Sequence, residues 1–311
     1  MALIYPIGGG KGGVGKSFVT ANLGVLLANQ GYRVSVVDLD LGGANLHTFF
    51  GMSRTGKGIG PFLSQECRSL EEAAEETSVK NLSLIPSMNA PIGVPNLFSA
   101  QKQKLIHAIL KLPSDIVLLD LGSGTSYNTL DFFLASHTGI FVAVPEPTSI
   151  ENTFRFINAV YQRKLQHLLK QSAYAAILSD LSNRSRNRVI KAADILEAVS
   201  KESPSEGDRL RDELNALQFK FVVNQFRSSV DRSIGLKIEK TCNTHFFSRF
   251  EFLGDISYDE KVHTSVVEKI VYVEKYGYTL TALDLMNMSK KLIGAEEKIV
   301  RNSTEDCYET A

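Results

Sequence analysis

Residues 8–17 read GGGKGGVGKS, and their types and spacing suit phosphate chemistry. Gly10, Gly15, Lys16 and Ser17 stand in the pattern G-x-x-x-x-G-K-S, after an apolar β-like run at 2–7 and before a helix-like run at 18–29. A triphosphate-wrapping loop requires that strand, loop and helix context. Glycines let the chain turn through positive φ and aim successive N–H groups inward, and the following helix adds its positive end. The backbone from Gly10 through Gly12, Gly13, Val14 and Gly15 to Phe18 would then surround the phosphates. Lys16 would reach the β/γ-phosphates, and the Ser17 hydroxyl would take one position on a magnesium ion.

Three carboxylates close apolar runs farther along. Residues 33–40 (RVSVVDLD) read as a buried strand ending in Asp38 and Asp40, and 115–120 (DIVLLD) as another ending at Asp120. Four apolar residues before an acid suit a parallel sheet covered on both faces. Asp120 has the position of a Walker B carboxylate, which would hold magnesium through water. An acid at a strand's end can also simply cap the next turn, and for Asp38 and Asp40 judged alone that reading stands beside the functional one. Residues 121–125 (LGSGT) follow Asp120, where glycine lets the backbone approach or leave a γ-phosphate.

Lys11 narrows the reading. The loop KGGVGKS resembles the deviant Walker A loop of the MinD/ParA ATPases, and residues 38–45 (DLDLGGAN) resemble that family's D-x-D-x-x-x-x-N switch I segment. The resemblance implies ATP and Mg2+ as cofactors and an ATP-dependent homodimer in which Lys11 crosses to the phosphates held by the other subunit. Such a lysine is a cation delivered in trans to charge developing in the transition state. The resemblance further implies that Asp40 orients or deprotonates the attacking water and that Asp38 supports the magnesium shell. It implies that Asn224, closing the strand-like KFVVN, reads the adenine edge. Residues 252–259 (FLGDISYD) would form a loop over the base, with Ser257 standing where the family usually has proline.

Within the family the sequence is most similar to the FlhG/FleN regulators of flagellar number, which share the 145–149 turn PEPTS. The implied activity is a regulatory ATPase, converting ATP and water to ADP and phosphate. It would act as a switch that controls placement or number of a cellular structure, together with an unidentified regulatory protein partner. A DNA-partition ATPase is the alternative. Its local support is Arg184, Arg186, Arg188 and Lys191, which could touch DNA phosphates, although the acids nearby favour a solvated helix face. An iron–sulfur carrier would need a C-x-x-C pair that the isolated Cys67, Cys242 and Cys307 do not supply. A tyrosine kinase built on this loop would need a terminal tyrosine cluster where only Tyr308 stands.

The elements that must position these residues follow from pattern and composition. With 311 residues, 43% of them hydrophobic, the chain can bury a full core. Lys and Arg total 34, as do Asp and Glu, so no global field draws nucleic acid or acidic membrane. No run approaches a membrane-spanning length, and the N-terminus lacks a signal-peptide pattern. A cytoplasmic protein is expected, with peripheral contact at the inner face of the cell membrane left open. An amphipathic helix is expected at 281–293, but the stretch after it carries acids where lipid binding wants lysines.

Further strands are expected at 81–86, 139–144 and 220–224, and helices at 69–76 and 99–112. Thr148 and Glu151 form a T-x-x-E capping box. Residues 51–60 read as a mobile loop, and 87–96, with Pro91, Gly93 and Pro95, as irregular chain. From 163 to 217 the sheet pattern stops and charge rises, the mark of a helical insertion. The expected fold is α/β, a three-layer α/β/α P-loop NTPase with a mostly parallel sheet. One domain would cover 1–294, closed by Gly294 as a helix stop, with an acidic, disordered tail at 295–311.

Overall fold

The structure, a computed structural model, describes residues 2–43, 45–53, 56–87, 97–184 and 189–308, without the side chains of Arg184 and of residues 295–308. The basic positions Arg186 and Arg188 and the Pro91, Gly93 and Pro95 stretch therefore lie outside the described residues. Among those described, eight strands form one sheet: β1 (Leu3–Gly8), β2 (Val34–Leu39), β3 (Glu75–Glu76), β4 (Leu82–Ile85), β5 (Ile116–Leu121), β6 (Thr138–Ala143), β7 (Gln218–Phe226) and β8 (Arg249–Ser257). Their order is β3-β4-β2-β5-β1-β6-β7-β8, with β3 antiparallel to β4 and every other pairing parallel.

The helices in chain order are α1 (Lys16–Asn29), α2 (Leu46–Phe49), α3 (Ile59–Leu63), α4 (Ser99–Ile109), α5 (Tyr127–Phe133), α6 (Pro147–Leu168), α7 (Gln171–Arg184), α8 (Ala192–Glu202), α9 (Pro204–Asn215), α10 (Ile234–His245), α11 (Lys261–Val267), α12 (Tyr272–Lys275) and α13 (Leu280–Tyr308). None is long and apolar enough to cross a membrane among the described residues.

Strand side chains alternate between two cores because successive residues face opposite sides of a sheet. In β5, Val117 and Leu119 join the core beneath α4, α5 and α6, whereas Ile116 and Leu118 join the core that α1, α12 and α13 cover. In β2, Val37 and Leu39 go one way, Val34 and Val36 the other. Both faces being covered is why these strands are apolar almost throughout ahead of their acids, Ser35 of β2 being the exception. The same parallel register sets Asp38 of β2 opposite Asp120 of β5, and Ile7 of β1 opposite Asp120 on the other side. The acids and the loop after β1 therefore meet at the carboxyl edge of the central strands, where open α/β sheets place ligands.

Several local expectations need correction. Residues 69–76 are turns leading into β3 rather than a helix. Leu70 and Ala73 are the buried apolar side chains there, too few to hold so short a helix, and Glu75 pairs instead with Leu84 of β4. Residues 252–257 belong to β8, which runs parallel to β7 with a register shift between Phe221 and Val222. Phe250, Leu253 and Ile256 are buried along it, a spacing of three that hides the strand because the irregularity breaks the period of two.

Helix α6 begins at Pro147 with Glu146 at its N-cap, so Thr148 is already in the first turn and the T-x-x-E box does not form. Proline's fixed φ and missing N–H make it the better first residue, and Glu151 pairs with Arg155 instead. Arg163 lies within α6, ahead of the helices α7 to α9. Helix α13 continues through Gly294 to Tyr308, so Gly294 is not its stop.

Candidate nucleotide site

The loop joining β1 to α1 is fixed from below and from the side. Gly15 has φ 90°, and a Cβ there would run into the Asn224 amide, so the position admits glycine on both counts. A Cβ at Gly10 would collide with the carbonyl oxygen of Asn152 in α6, so the loop lies directly on that helix. Asn224 is buried and donates from Nδ2 to the Val14 carbonyl at 2.9 Å, and Gln225 Nε2 donates to the Gly13 carbonyl at 3.2 Å. The end of β7 thus clasps the loop. The Asn224 side chain is engaged there and does not line the open cleft above.

That cleft, about 490 Å³, is lined by Gly12, Gly13, Gly15, Lys16 and Ser17 of the loop, by Asp40 and Ser123 from the ends of β2 and β5, and by Thr48, Phe49 and Val266 on a third side. Lys16 is buried at the start of α1, and desolvation lowers its pKa against the opposing charges of Asp120 and Asp40. A buried ammonium with carboxylates at one side and an open cleft at the other is placed for an anion.

Asp120 is 1% exposed. Burial raises its pKa, while hydrogen bonds from Ser17 and Thr20 and the Lys16 charge work the other way. Asp38, equally buried, is raised further, by burial first and then by the Asp120 charge. Its carboxylate accepts from the backbone N–H groups of Asp40 at 3.1 Å and Leu46 at 3.4 Å, which ties the turn after β2 to the strand end. Two buried acids side by side, both pushed toward the neutral form and one of them hydrogen-bonded to Ser17, make an oxygen-donor set that a hard divalent cation fits.

Asp40 is half-buried, and its carboxylate lies between the backbones of two turns. A Cβ at Gly43 would come within 3.2 Å of Oδ2 and one at Gly122 within 3.1 Å of Oδ1. The end of β2 and the turn after β5 are therefore in contact through this one side chain. Lys11 takes no part in lining the cleft. Its ammonium meets the exposed Glu146 carboxylate at 2.8 Å, with 40% of the lysine side chain exposed.

The structure brings Lys16, Ser17 and Asp40 to one cleft, buries Asp120 and Asp38 behind them, keeps Lys11 out of the cleft lining and puts Asn224 under the loop. Sequence reasoning passed over Thr20, whose hydroxyl donates toward Asp120, and Glu146, the partner of Lys11. Thr20 stands four residues after Lys16, one helical turn, and that spacing is a signal that could have been read. Glu146 lies 135 positions from Lys11, and nothing local announces the pairing.

Residues 6–272 match the CobQ/CobB/MinD/ParA nucleotide binding domain. A putative septum site-determining protein MinD of Guillardia theta is 31% identical over 202 residues, 63% of this chain and 69% of that protein. The flagellum site-determining protein YlxH of Helicobacter pylori is 34% identical over 150 residues, 48% of this chain and 50% of that protein. The matched part spans 50 to 69% of the length of these curated relatives. Among solved structures, the septum site-determining protein MinD of Pyrococcus horikoshii, complexed with Mg-ADP, superposes with a TM-score of 0.63 at 21% identity, covering 94% of this chain and 96% of that one. A ParA family ATPase from Chlorobium tepidum gives 0.62 at 14% identity, covering 93% and 99%.

Proposed function

The chain belongs to the MinD/ParA family of P-loop ATPases, and from that premise we propose that it is an ATP-hydrolysing switch that dimerises on ATP. The single observation behind this reading is the division of labour between two lysines. Lys16 is buried in its own cleft, whereas Lys11 stands at the rim on an exposed carboxylate and contributes nothing to the cleft beside it. A cation so placed serves a phosphate brought from outside, in a second copy of the chain.

In this reading the loop backbone and Lys16 bind the β- and γ-phosphates. Ser17 and Asp120 would hold magnesium, with Asp38 behind them shaping the turn after β2; the metal would neutralise phosphate charge and align the oxygens. Asp40 orients the attacking water and accepts its proton. Because Asp40 touches the turn after β5 at Gly122, the γ-phosphate, the switch I segment and that turn would be read together. Asn224 acts first by holding the loop; reading an adenine edge would require its amide to leave Val14.

For the biology we propose a site-determining role of the FlhG type, supported by similarity to relatives named as septum-site and flagellum-site determinants. The regulatory partner would be a protein, as a MinC:MinD complex from Aquifex aeolicus illustrates for a structural neighbour.

The test is the solution mass of Asp40→Ala by light scattering, with and without ATP. A dimer that persists with ATP is expected, because water activation is lost while binding is kept. A variant that binds ATP yet stays monomeric would overturn the switch.

A further inference from the structure

We propose that Thr20 is the positioning residue for the Asp120 carboxylate, and that through it the chain sets its affinity for the divalent cation; this rests on the nucleotide-site reading above. Thr20 is fully buried in the second turn of α1. Its hydroxyl lies 3.1 Å from Asp120 Oδ1 and 2.9 Å from the Lys16 carbonyl oxygen. One hydroxyl proton is thus shared between the helix that starts at the phosphate loop and the strand that delivers the acid. Ser17, one turn earlier, also hydrogen-bonds Asp120.

The consequence is geometric. Asp120 has two rotatable bonds and stands at the end of a strand, with Ile7 of β1 on one side and Asp38 of β2 on the other. Ile7 is apolar, and Asp38 and Asp120 act on each other through charge rather than a hydrogen bond. Thr20 fixes Oδ1 from the helix side, while Ser17, which lines the cleft, also hydrogen-bonds the carboxylate. Hydrogen-bond partners that orient a metal-holding residue commonly set metal affinity by about 10- to 100-fold.

A threonine inside a helix often bonds the carbonyl four residues back for purely local reasons, and the 2.9 Å contact to Lys16 is such a bond. The experiment separates the two roles. Affinity for a fluorescent ADP analogue is measured in excess EDTA and in a Mg2+ titration for the full chain, Thr20→Val and Thr20→Ser, with melting temperature recorded for each.

The wild type and Thr20→Ser are expected to tighten on Mg2+ by the same factor. Thr20→Val should bind equally in EDTA but lose about tenfold or more of the Mg2+-dependent tightening. If Thr20→Val does not fold, Thr20→Ala replaces it, with the same loss expected. The proposal is overturned if the variant without a hydroxyl tightens as the wild type does, or if Thr20→Ser is as defective as Thr20→Val. A lowered melting temperature with unchanged Mg2+ dependence would assign Thr20 to helix packing alone. A wild type that binds no nucleotide at all would instead sink the site reading itself.

Discussion

Lys16 illustrates how residue chemistry and burial combine. Its ammonium is desolvated and faces Asp120 and Asp40, so Lys16→Ala removes the cation and leaves two acids facing the phosphates. ATP binding, read by equilibrium dialysis, is expected to be abolished. Lys11 differs because its contact with Glu146 is exposed at both ends, and such pairs are worth about 0–1 kcal/mol. Glu146→Gln should hardly change the melting temperature. Lys11→Ala should bind ATP but lose turnover by about 10³ to 10⁵, the scale of a charge supplied in trans, and monomeric Lys11→Ala with normal turnover would refute the arrangement. The loop, the two lysines and the three acids were legible because each belongs to a short contiguous pattern. Thr20 carried a local signal in its one-turn spacing from Lys16 but not its partner, Asp120, 100 positions away, and Glu146 carried none, its partner lying 135 positions off.

At the scale of elements, α4, α5 and α6 are joined by one buried acid. Asp131 receives Lys102, Arg163 and His167, with Arg163 Nε at 2.5 Å and His167 Nε2 at 3.1 Å. Burial alone would raise its pKa, but hydrogen bonds from His167, Arg163 and Lys102 hold it well below the usual carboxylate range. A depressed acid stabilises the fold above its unfolded value of 3.8. That stability is lost as pH falls below 3.8 toward the folded value. Asp131→Asn leaves Lys102 buried without its counter-charge and should cost about 3–5 kcal/mol by urea unfolding. Its acid limb should also be flatter than that of the wild type. No sequence pattern names this cluster, because its members come from three separate helices. Strands β2 and β5 were legible as apolar runs ending in acids, whereas β8 was obscured by the bulge, and β3 exists only through its pairing with β4.

For the whole molecule, α8, the chain leading into it and α9 are fastened to α6 at three points. Gln162 Nε2 donates to the Ile190 carbonyl at 2.7 Å, the Ala192 N–H donates to Asn158 Oδ1 at 3.0 Å, and Lys164 pairs with Glu213 at 2.9 Å. Amide exchange in α8 is expected to change when ATP saturates the protein, and an unchanged α8 would separate this region from the nucleotide cycle. A helical stretch was foreseeable from charge and the lapse of strand pattern; its attachment to α6 was not, being made by amides and carbonyls that any surface offers. The close seating of Gly10 on Asn152 has one more effect. Helix α6 has 22 residues, a rod about 33 Å long, with the loop resting on Asn152 near its beginning, α8 tied to Asn158 at its middle and α9 to Lys164 nearer its end. A shift of the loop at Gly10 would therefore be passed along this one rigid helix to the surface that α8 and α9 present.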